Sequence, residues 1–194
     1  MISSHNERFA RQLARAVLDN DLVNGRQCED CHVCCVALEL PPRAAHTRCH
    51  FLNQRGQCLK YATRPRECSL YWCMWRLGQF SQEDRPDRNG VIVSVVKNSL
   101  HGIGANIVEC TSEALKRSGH IIEACRGLSF TLIKVVHIDG TCDLISTDRK
   151  WIERLRQTNP GIPIPEDASH VELRCHEDTP VRNNGGRVPA VPHD

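Results

Sequence analysis

The sequence of 194 residues has no long hydrophobic run, and its longest apolar-rich stretch spans only residues 91–96. A membrane helix needs about 18 or more consecutive apolar residues, and a signal peptide needs an apolar stretch of about 7 to 15. Charged side chains interrupt residues 1–25 throughout. These absences argue against a membrane protein and against secretion, so the expected location is the cytoplasm.

Neither sign of charge predominates, because the sequence has 25 Lys and Arg residues and 23 Asp and Glu residues, a net charge of +2. A strongly basic nucleic-acid binder and an acidic, solvating chain are therefore both unexpected. Leu, Ile, Val and Phe nevertheless number 47, a share above the roughly 20 % below which chains are usually disordered. The length and this apolar content predict about one folded domain.

Cysteine is what the sequence has in excess: it holds 12, and eight of them lie within residues 28–73. Because the cytoplasm keeps thiols reduced, a cluster of this density predicts metal ligation, with a disulfide framework and inert thiols as the alternatives. Zinc and iron, the latter including an iron–sulfur cluster, are metals whose sites are built from thiolates. The predicted ligands are Cys28, Cys31, Cys34, Cys35, Cys49, Cys58, Cys68 and Cys73.

The spacing of the first four cysteines constrains the site. Two overlapping C-x2-C pairs suit a metal, because the turn between the cysteines lets two sulfurs converge on one ion. Cys34 and Cys35 are adjacent, and adjacent side chains diverge by about 100° in a helix and point to opposite faces of a strand. We therefore predict at least two ions or a multinuclear cluster. His32, His46 and His50 lie nearby and are candidate imidazole ligands or, alternatively, exposed or supporting histidines.

Charge within the cysteine-rich segment is compatible with a metal site. Residues 26–76 carry eight basic and four acidic side chains, which taken alone resembles a surface for nucleic acid. Eight thiolates on two divalent ions would cancel that excess and leave little field to attract phosphate. The arginines are better explained as countercharges that stabilise thiolates and donate to sulfur. Metal ions are thus the predicted partners, a protein partner is compatible with the sequence, and nucleic acid is not expected.

The sequence predicts an α+β fold in which an irregular cysteine-rich metal module is followed by a small antiparallel β-sheet with helices. Ser4 and Glu7 have the spacing of a capping box, and helical periodicity follows them. This pattern predicts an N-terminal amphipathic helix within residues 1–25. The eight-cysteine metal-binding module occupies residues 26–78, where proline breakers favour loops and turns.

The second half of the chain predicts regular structure. Runs of β-branched residues, a helix that Gly119 interrupts and a hairpin at Asp139-Gly140 predict a β-β-α-β-β segment with a closing helix in residues 88–158. Residues 159–194 are Pro-rich and predicted to be a partly disordered tail with one strand-like stretch. The four remaining cysteines are predicted to be buried free thiols: Cys110, Cys125, Cys142 and Cys175.

A longer motif joins the cysteines of the module: Cys28-x2-Cys31-x2-Cys34-Cys35, Cys49-His-Phe-Leu, Gly56-Gln-Cys58-Leu-Lys-Tyr61-x2-Arg64-Pro65-x2-Cys68 and, beyond it, Cys73. This motif resembles the YkgJ-type cysteine-cluster family, a zinc- or iron-chelating domain, over about a quarter of the chain. The resemblance implies metal ligation by all eight cysteines, with Tyr61, Arg64 and Pro65 as accompanying residues. His32 departs from the family, which usually has Gly there, so its side chain either crowds the turn or approaches the metal.

Three classes of function are compatible with this sequence. A metal-binding protein whose thiolate sites hold its loops together, as a structural or interaction module, comes first. A metal carrier or sensor, or an electron-transfer protein, comes second. An iron–sulfur redox enzyme or another metal-dependent enzyme comes third, since relatives in the resembled family include a flagellin lysine methylase with an iron–sulfur cluster. No catalytic residue is predicted.

Overall fold

The computed structural model describes residues 26, 28, 31–38, 46–65, 68, 71, 73–98, 102–128, 130–158, 164 and 171–176. The amphipathic helix predicted in residues 1–25 lies outside these ranges, as does most of the predicted C-terminal tail. All eight cysteines of the predicted metal module lie inside them.

Five strands form one sheet, and their order in the sheet is their order in the chain. They are β1 (Val91–Asn98), β2 (Gly102–Glu109), β3 (Leu132–Val136), β4 (Thr141–Ser146) and β5 (Val171–His176). β-branched residues dominate β1 and β3, and such side chains pack well on a pleated, half-buried surface. Together with the helices described below, this sheet confirms the predicted α+β class.

The sheet is mixed, so the prediction of an antiparallel sheet is wrong. The pairs β1–β2, β3–β4 and β4–β5 are antiparallel, but β2 and β3 run parallel, with Ile107 opposite Val135. Parallel neighbours need a crossover connection, usually helical, and residues 110–131 supply it. Runs of β-branched residues reveal where strands lie but not the direction in which distant strands pair.

The described helices are short. They are α1 (Cys34–Ala37), α2 (Pro86–Asn89), α3 (Ala114–Arg117), α4 (Gly119–Gly127) and α5 (Arg149–Thr158), with a 3₁₀ helix at Tyr61–Thr63. The predicted interruption at Gly119 is confirmed, because α3 ends just before Ser118 and α4 begins at Gly119. None of the helices in the described ranges is long and apolar enough to cross a membrane.

The predicted hairpin between β3 and β4 is confirmed. Gly140 has a φ of 81°, which glycine adopts at no steric cost. Asp139 Oδ1 accepts hydrogen bonds from the backbone N–H of Thr141 at 2.8 Å and from its hydroxyl at 2.6 Å. The two turn residues therefore supply both the unusual backbone angle and the local hydrogen bonds that the turn needs.

The sheet extends beyond residues 88–158, because β5 comes from the segment predicted as a tail. Leu173 of β5 lies opposite Leu144 of β4. Cys142 is disulfide-bonded, and the residue opposite it in the register is Cys175. The prediction of a free thiol is therefore wrong for Cys142. The Cys175 side chain, for which a free thiol is also predicted, lies outside the described part of the structure.

Successive side chains of β4 point to opposite faces of the sheet and belong to two different apolar clusters. Ile145 belongs to the larger cluster, together with Ile133 of β3 and Ile121 of α4. Leu144 points to the opposite face of the strand and belongs to a smaller cluster with Trp151 of α5. Both faces of this part of the sheet are therefore covered by helices.

The cysteine module is joined to the outer edge of β1. Cys73 forms an antiparallel bridge with Ser94, and the Met74 N–H donates to the Val93 carbonyl at 2.8 Å. The Met74 side chain is fully buried in the larger apolar cluster. The module and the sheet therefore share one core.

Arg26 reinforces this junction from the start of the module. Its guanidinium donates to the carbonyl of Trp75 at 2.5 Å and to that of Phe80 at 2.6 Å, and it lies 5.3 Å from the centre of the Trp75 ring. Arg26 is buried, so these hydrogen bonds and the cation–π contact replace water around its charge.

Asp84 ties the connection between module and sheet to α4. Its Oδ2 accepts hydrogen bonds from the Ser81 hydroxyl at 2.7 Å and from the Ser81 N–H at 3.0 Å, and its Oδ1 lies 2.7 Å from Nε2 of His120. Burial raises the pKa of Asp84, but the hydrogen bonds with Ser81 and His120 outweigh burial and hold that pKa below its ordinary value. The ionised carboxylate is therefore the form that stabilises the fold.

We expect Asp84→Asn to lower the free energy of unfolding by about 1–3 kcal/mol at neutral pH, because a buried group loses its charge-assisted hydrogen bonds. A depressed pKa contributes stability above the ordinary carboxyl pKa and loses it as pH falls through the folded value. The difference between variant and wild type should therefore shrink below about pH 4. Urea unfolding of both proteins at neutral and acidic pH measures this difference in the free energy of unfolding. Glu83→Gln, at an exposed neighbouring carboxylate, is the control; an equal Asp84→Asn effect at both pH values would contradict this account.

Candidate metal site

One cavity of ≈ 80 Å³ is bounded by the cysteine module and by β1. The eight cysteines of the predicted ligand set all line it: Cys28, Cys31, Cys34, Cys35, Cys49, Cys58, Cys68 and Cys73. Each of them is a free thiol. A cavity needs roughly 10–15 Å³ to hold one water molecule, so this one has room for several atoms.

The first stretch of chain to reach the cavity is a turn that leads into α1. The Cys31 N–H donates to the Cys28 carbonyl at 2.5 Å and closes the turn. Helix α1 then begins at Cys34, and the Cys35 N–H donates to the His32 carbonyl at 2.9 Å. Four thiols thus reach the wall from a segment of only eight residues, as the overlapping C-x2-C spacing predicts.

Two later stretches complete the wall. The Cys49 N–H donates to the Cys35 carbonyl at 3.0 Å, which fixes the second stretch against the first. Cys58 forms an antiparallel bridge with Leu52, so this stretch folds back on itself. The third stretch contributes Cys68 and ends at Cys73, on the edge of β1.

Burial favours the protonated form of two thiols at opposite ends of the module. It raises the pKa of Cys31 to about 12 and that of Cys73 to about 11. Backbone N–H groups directed at each sulfur oppose this rise, namely those of Val33 and Asp87 at Cys31 and those of Arg76 and Trp75 at Cys73. These donors are the contacts that a thiolate needs in a buried site.

The Cys34 and Cys35 thiols line the same cavity and share a side-chain hydrogen bond, although the Cα–Cβ bonds of adjacent helical residues diverge. A side-chain hydrogen bond to Cys35 is the largest cause of the raised pKa of Cys34, ahead of burial and of the charges on nearby thiols. Rotation about the Cα–Cβ bond allows two adjacent sulfurs to approach although their Cα–Cβ bonds diverge. The argument for two or more ions from this pair therefore fails, and the number of ions stays a prediction.

Two arginines contribute positive charge to the wall. Arg76 is buried, with 6 % of its surface exposed, and its charge favours the thiolate form of Cys73. Arg64 lies 4.8 Å from the centre of the Tyr61 ring. Tyr61, Arg64 and Pro65, the accompanying residues of the sequence motif, all line the cavity.

The donor set of the cavity suits a thiophilic metal. Among the described residues that line it there are eight thiols and one imidazole, and no carboxylate. Thiolates select zinc, copper(I) and iron–sulfur clusters, whereas magnesium, calcium and manganese prefer oxygen ligands. Within the part of the chain that the structure describes, no three Cys, His, Asp or Glu side chains already form a group that could hold an ion.

The three candidate histidines differ in their exposure and in whether they line the cavity. His32 is half-buried and lines the cavity. His46 and His50 are exposed and do not belong to its wall. The His50 ring lies 3.8 Å from the ring of Phe51, measured between centroids.

Sequence reasoning missed the part of the wall that comes from outside the module. Ile92 of β1 and Pro86 of α2 both line the cavity, and both are almost fully buried. No local spacing signal relates these residues to the cysteines, because the contact depends on the pairing of Cys73 with β1. Cys110 and Cys125 are free thiols outside the wall, as predicted, but only Cys125 is fully buried. Burial raises the pKa of each to about 12.

No protein-family model matches the chain, nor does any curated protein or solved structure.

We expect metal binding to release protons, because Cys31 and Cys73 are protonated at neutral pH and ligate a metal only as thiolates. Affinity should therefore rise with pH, by about tenfold per pH unit for each thiol that loses its proton. Calorimetric titration with Zn²⁺ in buffers of different ionisation enthalpy counts the protons. Cys125→Ala, which removes a thiol outside the wall, should release the same number. Binding without proton release would show that these thiols are not ligands.

Proposed function

We propose that the protein binds zinc or iron through the eight cysteines of this cavity and that the metal acts as a cross-link in a cytoplasmic structural or interaction module. The observation that carries this proposal is that all eight cysteines line one cavity as free thiols. The resemblance of their spacing to the YkgJ-type cysteine-cluster family supports the same function, and membership of that family is part of the proposal.

The charges around the cavity support a metal rather than an organic cation or an oxygen-ligated ion. Eight thiolates in a buried space repel one another, and Arg64 and Arg76 offset only part of their charge. A bound cation of higher charge would remove the repulsion and replace the protons that the buried Cys31 and Cys73 thiols otherwise keep. The directed N–H groups at Cys31 and Cys73 then serve as hydrogen-bond donors to the ligating sulfurs.

A structural role follows from where the ligands lie in the chain. In their described residues, the three cysteine-bearing stretches form short helices, an isolated bridge between Leu52 and Cys58 and the bridge of Cys73 to β1. Metal bonds to all three stretches would fasten them to one another and, through Cys73, to β1. Binding free energy would contribute directly to the order of these loops, because ligands so far apart in sequence come together only in the folded chain.

Metal content is the direct test. Protein purified without oxygen should contain zinc, with no visible colour, or iron with sulfide and a brown absorbance. Replacement of Cys34, Cys49 or Cys73 by Ala should lower the metal content, because each removes one thiolate from the wall. Cys125→Ala is the matched control and should retain the wild-type content. Wild-type protein that holds no metal and takes up neither Zn²⁺ nor Fe²⁺ would contradict the proposal.

Limited proteolysis with and without a chelator tests the structural role. Chelation should open residues 46–65 to cleavage while the β-sheet stays protected, since most of the shared apolar core comes from the strands and α4. Reversible removal of metal with unchanged cleavage would instead favour a carrier or sensor. An iron–sulfur spectrum that changes on reduction would favour a redox protein or enzyme.

A further inference from the structure

His32 supplies the imidazole of a wall whose other candidate donors are the eight thiols and the phenol groups of Tyr61 and Tyr71. It follows Cys31 directly in the chain, and the hydrogen bond from the Cys35 N–H to its carbonyl places it in one turn with Cys34 and Cys35. Exposure distinguishes it from His46 and His50, which face solvent. The position of its ring is therefore the feature that decides whether the cavity offers an imidazole to a metal.

Gly56 sets the position of the His32 ring. A Cβ atom built on Gly56 would lie 2.7 Å from both Nδ1 and Cε1 of His32, so only glycine leaves room for the ring. Gly56 is buried and has a φ of 79°, a left-handed conformation that also favours glycine. The imidazole therefore packs directly against the backbone of a turn in the second cysteine-bearing stretch.

The turn that receives the ring is stiffened by Asn53. The Asn53 side-chain Oδ1 accepts hydrogen bonds from the backbone N–H groups of Arg55 and Gln57, each at 2.9 Å. The Gly56 N–H donates to the Asn53 carbonyl at 3.0 Å. A ring packed on such a turn loses little further freedom when it binds a ligand, which is the preorganisation that a ligating side chain needs.

We propose that His32 is a nitrogen ligand of the metal in this cavity, so that at least one ion has mixed sulfur and nitrogen coordination. This inference rests on the proposed metal-binding function and adds a ninth ligand to it. Cys₃His is an established zinc ligand set with tetrahedral geometry, and the thiols nearest in sequence, Cys31 and Cys34, are the natural partners of the imidazole. A mixed site of this kind favours a divalent ion such as Zn²⁺ for the position that His32 completes.

X-ray absorption at the edge of the bound metal, on tag-free full-length protein, tests this inference directly. The wild-type spectrum should contain imidazole scattering beside the sulfur shell. His32→Gln should lose that scattering and weaken Zn²⁺ binding by at least about tenfold in chelator competition. His50→Gln, at an exposed histidine outside the wall, is the matched control and should preserve both the scattering and the affinity.

Two results would overturn the proposal while leaving thiolate binding intact: a wild-type spectrum with sulfur ligands only, or imidazole scattering that survives His32→Gln. Because the wild-type spectrum is itself decisive, poor folding of the variant does not remove the test. Gly56→Ala gives a second check, since it displaces the ring without removing it and should also reduce the imidazole signal. Protein that binds no metal would overturn the proposed function as well, which distinguishes the two failures.

Discussion

The backbone pairing between residues 73–74 and the outer edge of β1 is the contact on which the rest of the structure depends. Cys73 bridges to Ser94 and the Met74 N–H bonds to the Val93 carbonyl. This short ladder places a thiol in the cavity wall and a methionine in the core within two residues. It also brings Ile92 into the wall of the cavity that the thiols line. Without this pairing, loops that bury little apolar surface of their own would have no core to fold against.

Much of the fold is predictable because local chemistry determines it. β-branched runs mark β1 and β3, Gly119 separates two helices, and Asp139-Gly140 forms the turn that its backbone preferences favour. The parallel pairing of β2 with β3 and the addition of β5 are different, because they depend on contacts between segments distant in sequence. The disulfide at Cys142 likewise has no signal in the local sequence.

The candidate site, too, is predictable where the local sequence determines it and not where contacts between distant residues do. Cysteine density and C-x2-C spacing predict which thiols gather, and all eight line one cavity. Spacing does not reveal that Cys34 and Cys35 turn toward each other, since side-chain rotation rather than backbone direction decides that approach. Nor does it separate His32 from His46 and His50. That distinction depends on Gly56, more than twenty residues further along the chain, and on the turn that holds it.

All eight cysteines of the module precede β1 in the chain, and this order has a consequence for synthesis. The thiols leave the ribosome before Ile92 and the rest of the sheet exist to cover them. During that interval they are open to oxidation and to wrong pairing. The disulfide at Cys142 lies in a strand that is made later. The finished fold therefore combines free thiols in the segment made first with an oxidised cysteine in a strand made later.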